Sequence, residues 1–115
     1  MQFLITASET PLSIDERAYI EFSLFKALRR FAGAVTAVSV HVAARSRPGG
    51  RNAFTCVAHA DSTKGVLVAR ASTGRLYSTI DLVAGRLAVV ARDALDGGLA
   101  GRAATPRATA ARARP

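Results

Sequence analysis

The chain opens with a short run of β-forming residues, "QFLITA" at 2–7, which predicts a strand. "SETPLS" interrupts it. Ser13 followed three residues later by Glu16 has the spacing of a capping box, and Asp15 adds negative charge to the first turn of the helix this box would start. Ile20, Leu24, Ala27, Leu28 and Phe31 then recur at helical spacing. They predict a helix from about Ile14 to Phe31, ended by Gly33.

From there the period drops from helical to two. In "VTAVSVHVAAR" (35–45), Val38, Val40 and Val42 share one face and Ser39, His41 and Ala43 the other, the pattern of a half-buried strand. "SRPGGR" is a hairpin loop. "NAFTCVAHAD" (52–61) alternates again, with Phe54, Cys56, Ala58 and Ala60 inward and Thr55, Val57 and His59 outward. "STKG" turns the chain into a fourth strand, "VLVARAS" (66–72). Ser72 or Thr73 is expected to cap a second helix. Its core stripe would be Tyr77, Ile80, Val83 or Ala84, Leu87, Val90 and Ala94. Gly85 weakens that helix by about 1 kcal/mol relative to Ala.

The element order is β-α-β-β-β-α, which predicts an α+β fold. The strand–helix–strand unit makes strands one and two parallel, and the two hairpins make the rest antiparallel. Both helices must then cover the same face of a four-stranded mixed sheet, the topology of the double-stranded-RNA-binding fold. Residues 1–96 form this single domain. Residues 97–115, "GGLAGRAATPRATAARARP", have no periodic apolar face and predict a disordered basic Arg/Ala-rich tail.

Charge narrows the partner. The 115 residues carry 16 Lys and Arg against 8 Asp and Glu, a net charge of +8. Four of the Arg lie in the tail, which holds no acid. A small domain so basic points to a polyanion, with nucleic acid ahead of an acidic membrane surface. The lone Cys56 allows neither an internal disulfide nor a Cys-based metal site, which fits a reducing cytoplasm. No signal peptide and no window long enough to span a membrane is visible. A cytoplasmic location is therefore expected.

The sequence does not suggest an enzyme. His41 and His59 sit at outward positions of adjacent strands, but no third ligand or orienting carboxylate accompanies them. Cys56 points inward as a small core residue. No phosphate-cradling loop, nucleophile–base order or carboxylate pair is present. No cofactor, metal or small-molecule substrate is expected.

Basic side chains instead cluster on the helices. Lys26, Arg29 and Arg30 fall in the last turns of the first helix, away from its core stripe and near Tyr19 and Phe22. Cations there also complement the helix dipole, but an aromatic among them can stack on a base. Arg45, Arg47 and Arg51 surround the hairpin. Arg75, Arg86 and Arg92 avoid the core stripe of the second helix. Arg75 opposes the dipole in the first turn, so something other than helix stability favours it.

Several short motifs carry a resemblance. "MQFLIT" at the start, "KGVLVA" (64–69), "LYSTID" (76–81) at the entry to the second helix and "RAAT" (102–105) occur in the order and spacing of one family. The chain resembles a short ribosome hibernation-promoting factor, of the ribosome-associated inhibitor or sigma-54 modulation protein family, over about residues 1–95. The resemblance implies binding to small-subunit ribosomal RNA in the cleft between head and body. There such proteins occupy the mRNA and tRNA path and silence idle ribosomes under stress. It places family basic positions at Arg17, Lys26 and Arg86, with Arg92 near another. RNA contact is therefore expected at Arg17, Lys26, Arg29, Arg30, Arg75, Arg86 and Arg92. Tyr77 and Asp81 match the family signature. Gly74-Arg75 stand where the family commonly has acids, and Val89 where it commonly has a base, which implies a divergent member. As a short form it is not expected to pair ribosomes through a second domain.

Two other functions fit the same pattern. One is a stand-alone double-stranded-RNA-type binding module. The other is a protein-interaction module in which Val57, Val66 and Val68 leave an apolar strip on the open sheet face, supporting a weak homodimer.

Overall fold

The computed structural model describes residues 1–47 and 51–96. The tip of the hairpin loop and the proposed tail lie outside the described residues. Strand β1 (Gln2–Ser8) leads into helix α1 (Ile14–Leu28), which ends in a tighter 3-10 turn, Arg29–Phe31. Strands β2 (Val35–Arg47), β3 (Arg51–Ser62) and β4 (Gly65–Thr73) come next, then helix α2 (Leu76–Ala91) and a wider π-type turn, Arg92–Asp96. This is the expected β-α-β-β-β-α order.

The sheet runs β1-β2-β3-β4, with β1 parallel to β2 and the other pairs antiparallel. Alternation decides which face is covered. Val38, Val40 and Val42 of β2, Cys56, Ala58 and Ala60 of β3, and Leu67, Ala69 and Ala71 of β4 all turn to one side and are buried. Both helices pack on that side, where Ile20, Leu24 and Leu28 of α1 meet Ile80, Val83 and Leu87 of α2 in one core. Small residues on β3 and β4 let α2 sit close to the sheet.

The other face is open. Where all four strands are paired, its rows are Gln2, Ala37, Asp61, Val66; Leu4, Ser39, His59, Val68; Thr6, His41, Val57, Arg70; and Ser8, Ala43, Thr55, Ser72. Within these four rows Asp61 and Arg70 are the formal charges, and further along the same face the exposed Arg45 stands opposite Ala53.

Three local expectations are corrected. Gly33 does not cap α1 in a left-handed conformation; the positive-φ glycine among the described residues is Gly65, at φ 100°. Successive 3-10 bonds, Ala32 N–H to Arg29 O (3.1 Å) and Ala34 N–H to Phe31 O (2.8 Å), satisfy the carbonyls instead. Neither Ser72 nor Thr73 caps α2, because β4 continues through both and the N-cap is Arg75. Tyr77 is not in the core: it is 45% exposed, and Leu76 and Thr79 are buried in its place. Leu76 and Tyr77 both lie about one turn before Ile80, so helical spacing alone did not set the phase, and the polar Thr79 disguised the buried side.

Candidate nucleic-acid interface

The capping box forms as the spacing requires. Glu16 N–H donates to Ser13 Oγ (3.0 Å), and Ser13 N–H donates to Glu16 Oε1 (2.9 Å). This sets the rotation of α1, with Ile20, Leu24 and Leu28 facing the core and Ile14, Phe22, Phe25, Lys26 and Arg29 facing out.

α2 starts without a side-chain cap. Its first turn is held by hydroxyls instead. Arg75 N–H donates to Thr73 Oγ1 (3.1 Å). The hydroxyls of Thr73 and the buried Thr79 meet at 2.7 Å, each within reach of the Arg75 carbonyl (2.8 and 2.7 Å). This network orients Arg75 at the end of β4, with its side chain exposed.

The helices run in the same direction and are tied at both ends. Near their N-termini the Tyr19 hydroxyl donates to Asp81, and the Tyr19 and Tyr77 rings meet edge-on at 4.8 Å and 74°. The hydrogen bond to Asp81 is the chief cause that raises the Tyr19 pKa, so the hydroxyl keeps its proton further into alkaline pH than an ordinary tyrosine. At the other end Arg30 pairs with Asp96 at 2.5 Å. Asp81 thus has a job within the fold, bridging the two helices.

The seven expected RNA-contact residues are all exposed, but they do not form one patch. Lys26, Arg29 and Arg30 come together at the C-terminal end of α1, and Arg92 lies one turn before Asp96, the partner of Arg30. Arg17 and Arg75 lie at the opposite end, near the helix N-termini. Arg86 is on the side of α2 that borders β4.

Two of the seven have a structural engagement that the sequence did not show. Arg17 Nη1 donates to the Ile5 carbonyl (3.2 Å), and Arg86 Nη1 donates to the Arg70 carbonyl (2.7 Å). Ile5 and Arg70 belong to β1 and β4, the two edge strands. An arginine from each helix therefore covers a carbonyl on one free edge of the sheet, a charged guard against edge-to-edge pairing. Among the described residues, the side chains of Lys26, Arg29, Arg75 and Arg92 make no hydrogen bond or ion pair. Arg45 is exposed toward the hairpin end.

The remaining candidate chemistry is absorbed by the fold. His41 faces Val57 and His59 faces Ser39, so the two histidines are diagonal rather than opposite. The His41 ring lies between Thr6 Oγ1 (2.7 Å from Nδ1) and Ser8 Oγ (2.9 Å from Nε2). Among the described residues no group of three or more His, Cys, Asp or Glu could hold a metal. Burial pushes the Cys56 thiol up to about 11, leaving it an inert core group at neutral pH. No described helix is long and apolar enough to cross a membrane.

Sequence reasoning singled out Phe22, which is 61% exposed, but missed Phe25, which is 46% exposed. The signal was available, since Phe25 lies three residues after Phe22 on a helix whose core stripe excludes both.

No family model matches the chain, and no curated protein matches it in sequence. Solved structures do match. One is a ribosomal subunit interface protein from Coxiella burnetii, at a TM-score of 0.64 and 17% identity, over 77% of this chain and 91% of that one. Another is the N-terminal domain of Protein Y from Thermus thermophilus, at a TM-score of 0.65 and 20% identity, over 80% of this chain and 98% of that one. Each likeness spans nearly the whole of the other chain, and together they establish that this chain has the fold of those two proteins.

Proposed function

We propose that the chain is a divergent, short member of the ribosome hibernation-promoting family, a non-enzymatic cytoplasmic protein that binds small-subunit ribosomal RNA and blocks translation sterically. The observation that carries this reading is the near-complete fold match to a protein named for the ribosomal subunit interface. It joins the motif resemblance over residues 1–95. Side chains on the helices support it: Lys26, Arg29, Arg75 and Arg92 are exposed there and uncommitted, whereas the open sheet face carries Asp61, Arg70 and Arg45 spread along its length.

The mechanism is electrostatic. Helix cations displace counterions from RNA phosphates, so affinity falls steeply with salt and sequence is not read. The Arg of residues 97–115 would add further phosphate contacts. Occupying the mRNA and tRNA channel then inhibits without any bond being made or broken. Arg17 and Arg86 each have one guanidinium nitrogen on a sheet edge and other N–H groups available, so they can guard the edge and meet a phosphate together.

The test is co-sedimentation of the purified protein with purified small and large subunits across a salt series, alongside cell-free translation. The expected result is salt-sensitive binding to the small subunit and inhibition of translation. A protein that stays in the supernatant at low salt contradicts the reading. Equal affinity for a plain RNA duplex would favour the stand-alone double-stranded-RNA module.

Exposure of Val66 (59%) and Val68 (47%) on edge strand β4 supports a second reading, a weak homodimer through the open sheet face. A dimer that persists at high salt and without RNA would favour it.

A further inference from the structure

Phe22 and Phe25 are costly to leave in water, since burying a Phe side chain contributes about 1.5–3 kcal/mol. Both nevertheless point away from a core stripe that Ile20, Leu24 and Leu28 already complete. Three residues apart on a helix, they are neighbours on one surface. Cations extend that surface. Lys26 Nζ lies 6.0 Å from the centroid of the Phe22 ring, and Arg29 lies four residues after Phe25. No acidic residue lies in the chain from Phe22 to Arg30, and the exposed Glu21, four residues before Phe25, borders the patch on its N-terminal side.

A partner that was only apolar would need no cations here, and one that was only acidic would need no aromatics. Flat π faces framed by positive charge match a partner that offers both flat π faces and negative charge at close spacing. An unpaired nucleotide does so; within a duplex the base faces are already stacked on each other.

We infer that Phe22 and Phe25 form a stacking platform for unpaired nucleobases, with Lys26 and Arg29 holding the adjoining phosphates. The inference rests on the proposed RNA-binding function and deepens it: α1 selects single-stranded or bulged segments over regular duplex.

The test titrates wild type, Phe22→Ala/Phe25→Ala and Phe22→Leu/Phe25→Leu against a short unstructured labelled RNA, a duplex of the same length and purified small subunits. The wild type is expected to prefer the single strand. Both double variants should weaken binding to the single strand and to the subunit by about tenfold or more, with the salt slope unchanged because every cation is retained. Lys26→Ala/Arg29→Ala should flatten the slope instead.

Two binding results overturn the platform: variants that bind like wild type, or Leu variants that bind while Ala variants do not, which would mean apolar contact without stacking. So would a wild-type dimer made monomeric by Phe22→Ala/Phe25→Ala, which would mark α1 as a protein interface. Wild type that binds the unstructured RNA but not the subunit sinks the proposed function and leaves the platform standing. Wild type that binds the subunit while the Ala variant binds equally sinks the platform alone.

Discussion

α1 and α2 lie side by side on one face of the same sheet and run in the same direction, yet they carry different burdens. α2 buries Leu76, Thr79, Ile80, Val83, Ala84, Leu87 and Ala91, a stripe that runs its whole length. α1 buries Ile20, Leu24 and Leu28, and exposes Ile14, Phe22 and Phe25. The packing helix has little freedom to change, because each buried position faces strands whose own side chains fill the space. The lighter helix can carry aromatic and basic groups outward without disturbing the core. Aromatic recognition is therefore expected on α1, while α2 combines the main packing stripe with cations at its ends and edge.

Substitution can break that division, and the largest effect should come from the core side of α2. Leu87 is fully buried, so Leu87→Ala should cost about 2–5 kcal/mol in urea unfolding, from the transfer energy forfeited plus the cavity left behind. Phe22→Ala on α1 should change stability by less than about 0.5 kcal/mol while it weakens RNA binding. Comparable losses from the two variants would end the contrast between the helices.

Thr79 sharpens the contrast, because its hydroxyl closes the first turn of a helix that has no cap. Thr79→Val keeps the shape and loses the bonds to Thr73 and Arg75. It should cost about 1 kcal/mol, read as a shift in the urea midpoint at constant slope. A further effect of similar size should have the opposite sign. A Cβ added at Gly85 meets nothing within 4 Å, so Gly85→Ala should stabilise the protein by about 0.5–1 kcal/mol.

The sheet beneath both helices should respond to pH. The native Cys56 thiol is pushed up to about 11, above its unfolded value near 8.5. The native state thus holds its proton while the unfolded state gives it up. Stability is full below about pH 8.5 and should fall by up to about 1.4 kcal/mol per pH unit as pH rises toward 11. Cys56→Ala should remove the part of the decline that begins near pH 8.5. The Tyr19 hydroxyl, also raised, contributes its own loss at higher pH.

Much of the fold was legible because it depends on period. Alternation at Val38, Val40 and Val42 assigned the buried face of β2, and the Ser13–Glu16 spacing placed the start of α1. What stayed hidden depends on where distant elements meet. Tyr77 and Leu76 are equivalent by spacing, and the packing of α2 against β4 decides between them. Thr79 looked like a surface residue because the Thr73 hydroxyl that satisfies it lies in the preceding strand. Arg17 and Arg86 looked like plain surface cations, since nothing local shows that each sits beside the unpaired carbonyl of an edge strand. Of the candidate site, Phe22 and the cluster of Lys26, Arg29 and Arg30 were readable from helix phase. The Arg30–Asp96 pair was not, because it links residues 66 positions apart.

The central claim is that the helical side of the molecule, and not the open sheet, meets RNA. Single charge reversals on the two faces test it most directly, by measuring small-subunit affinity against salt for Arg29→Glu and Arg70→Glu. The account predicts that Arg29→Glu weakens binding and lowers the salt slope by about 0.7, the single-strand value for one phosphate no longer neutralised, while Arg70→Glu leaves both unchanged. Loss of binding in Arg70→Glu with Arg29→Glu unaffected would contradict it.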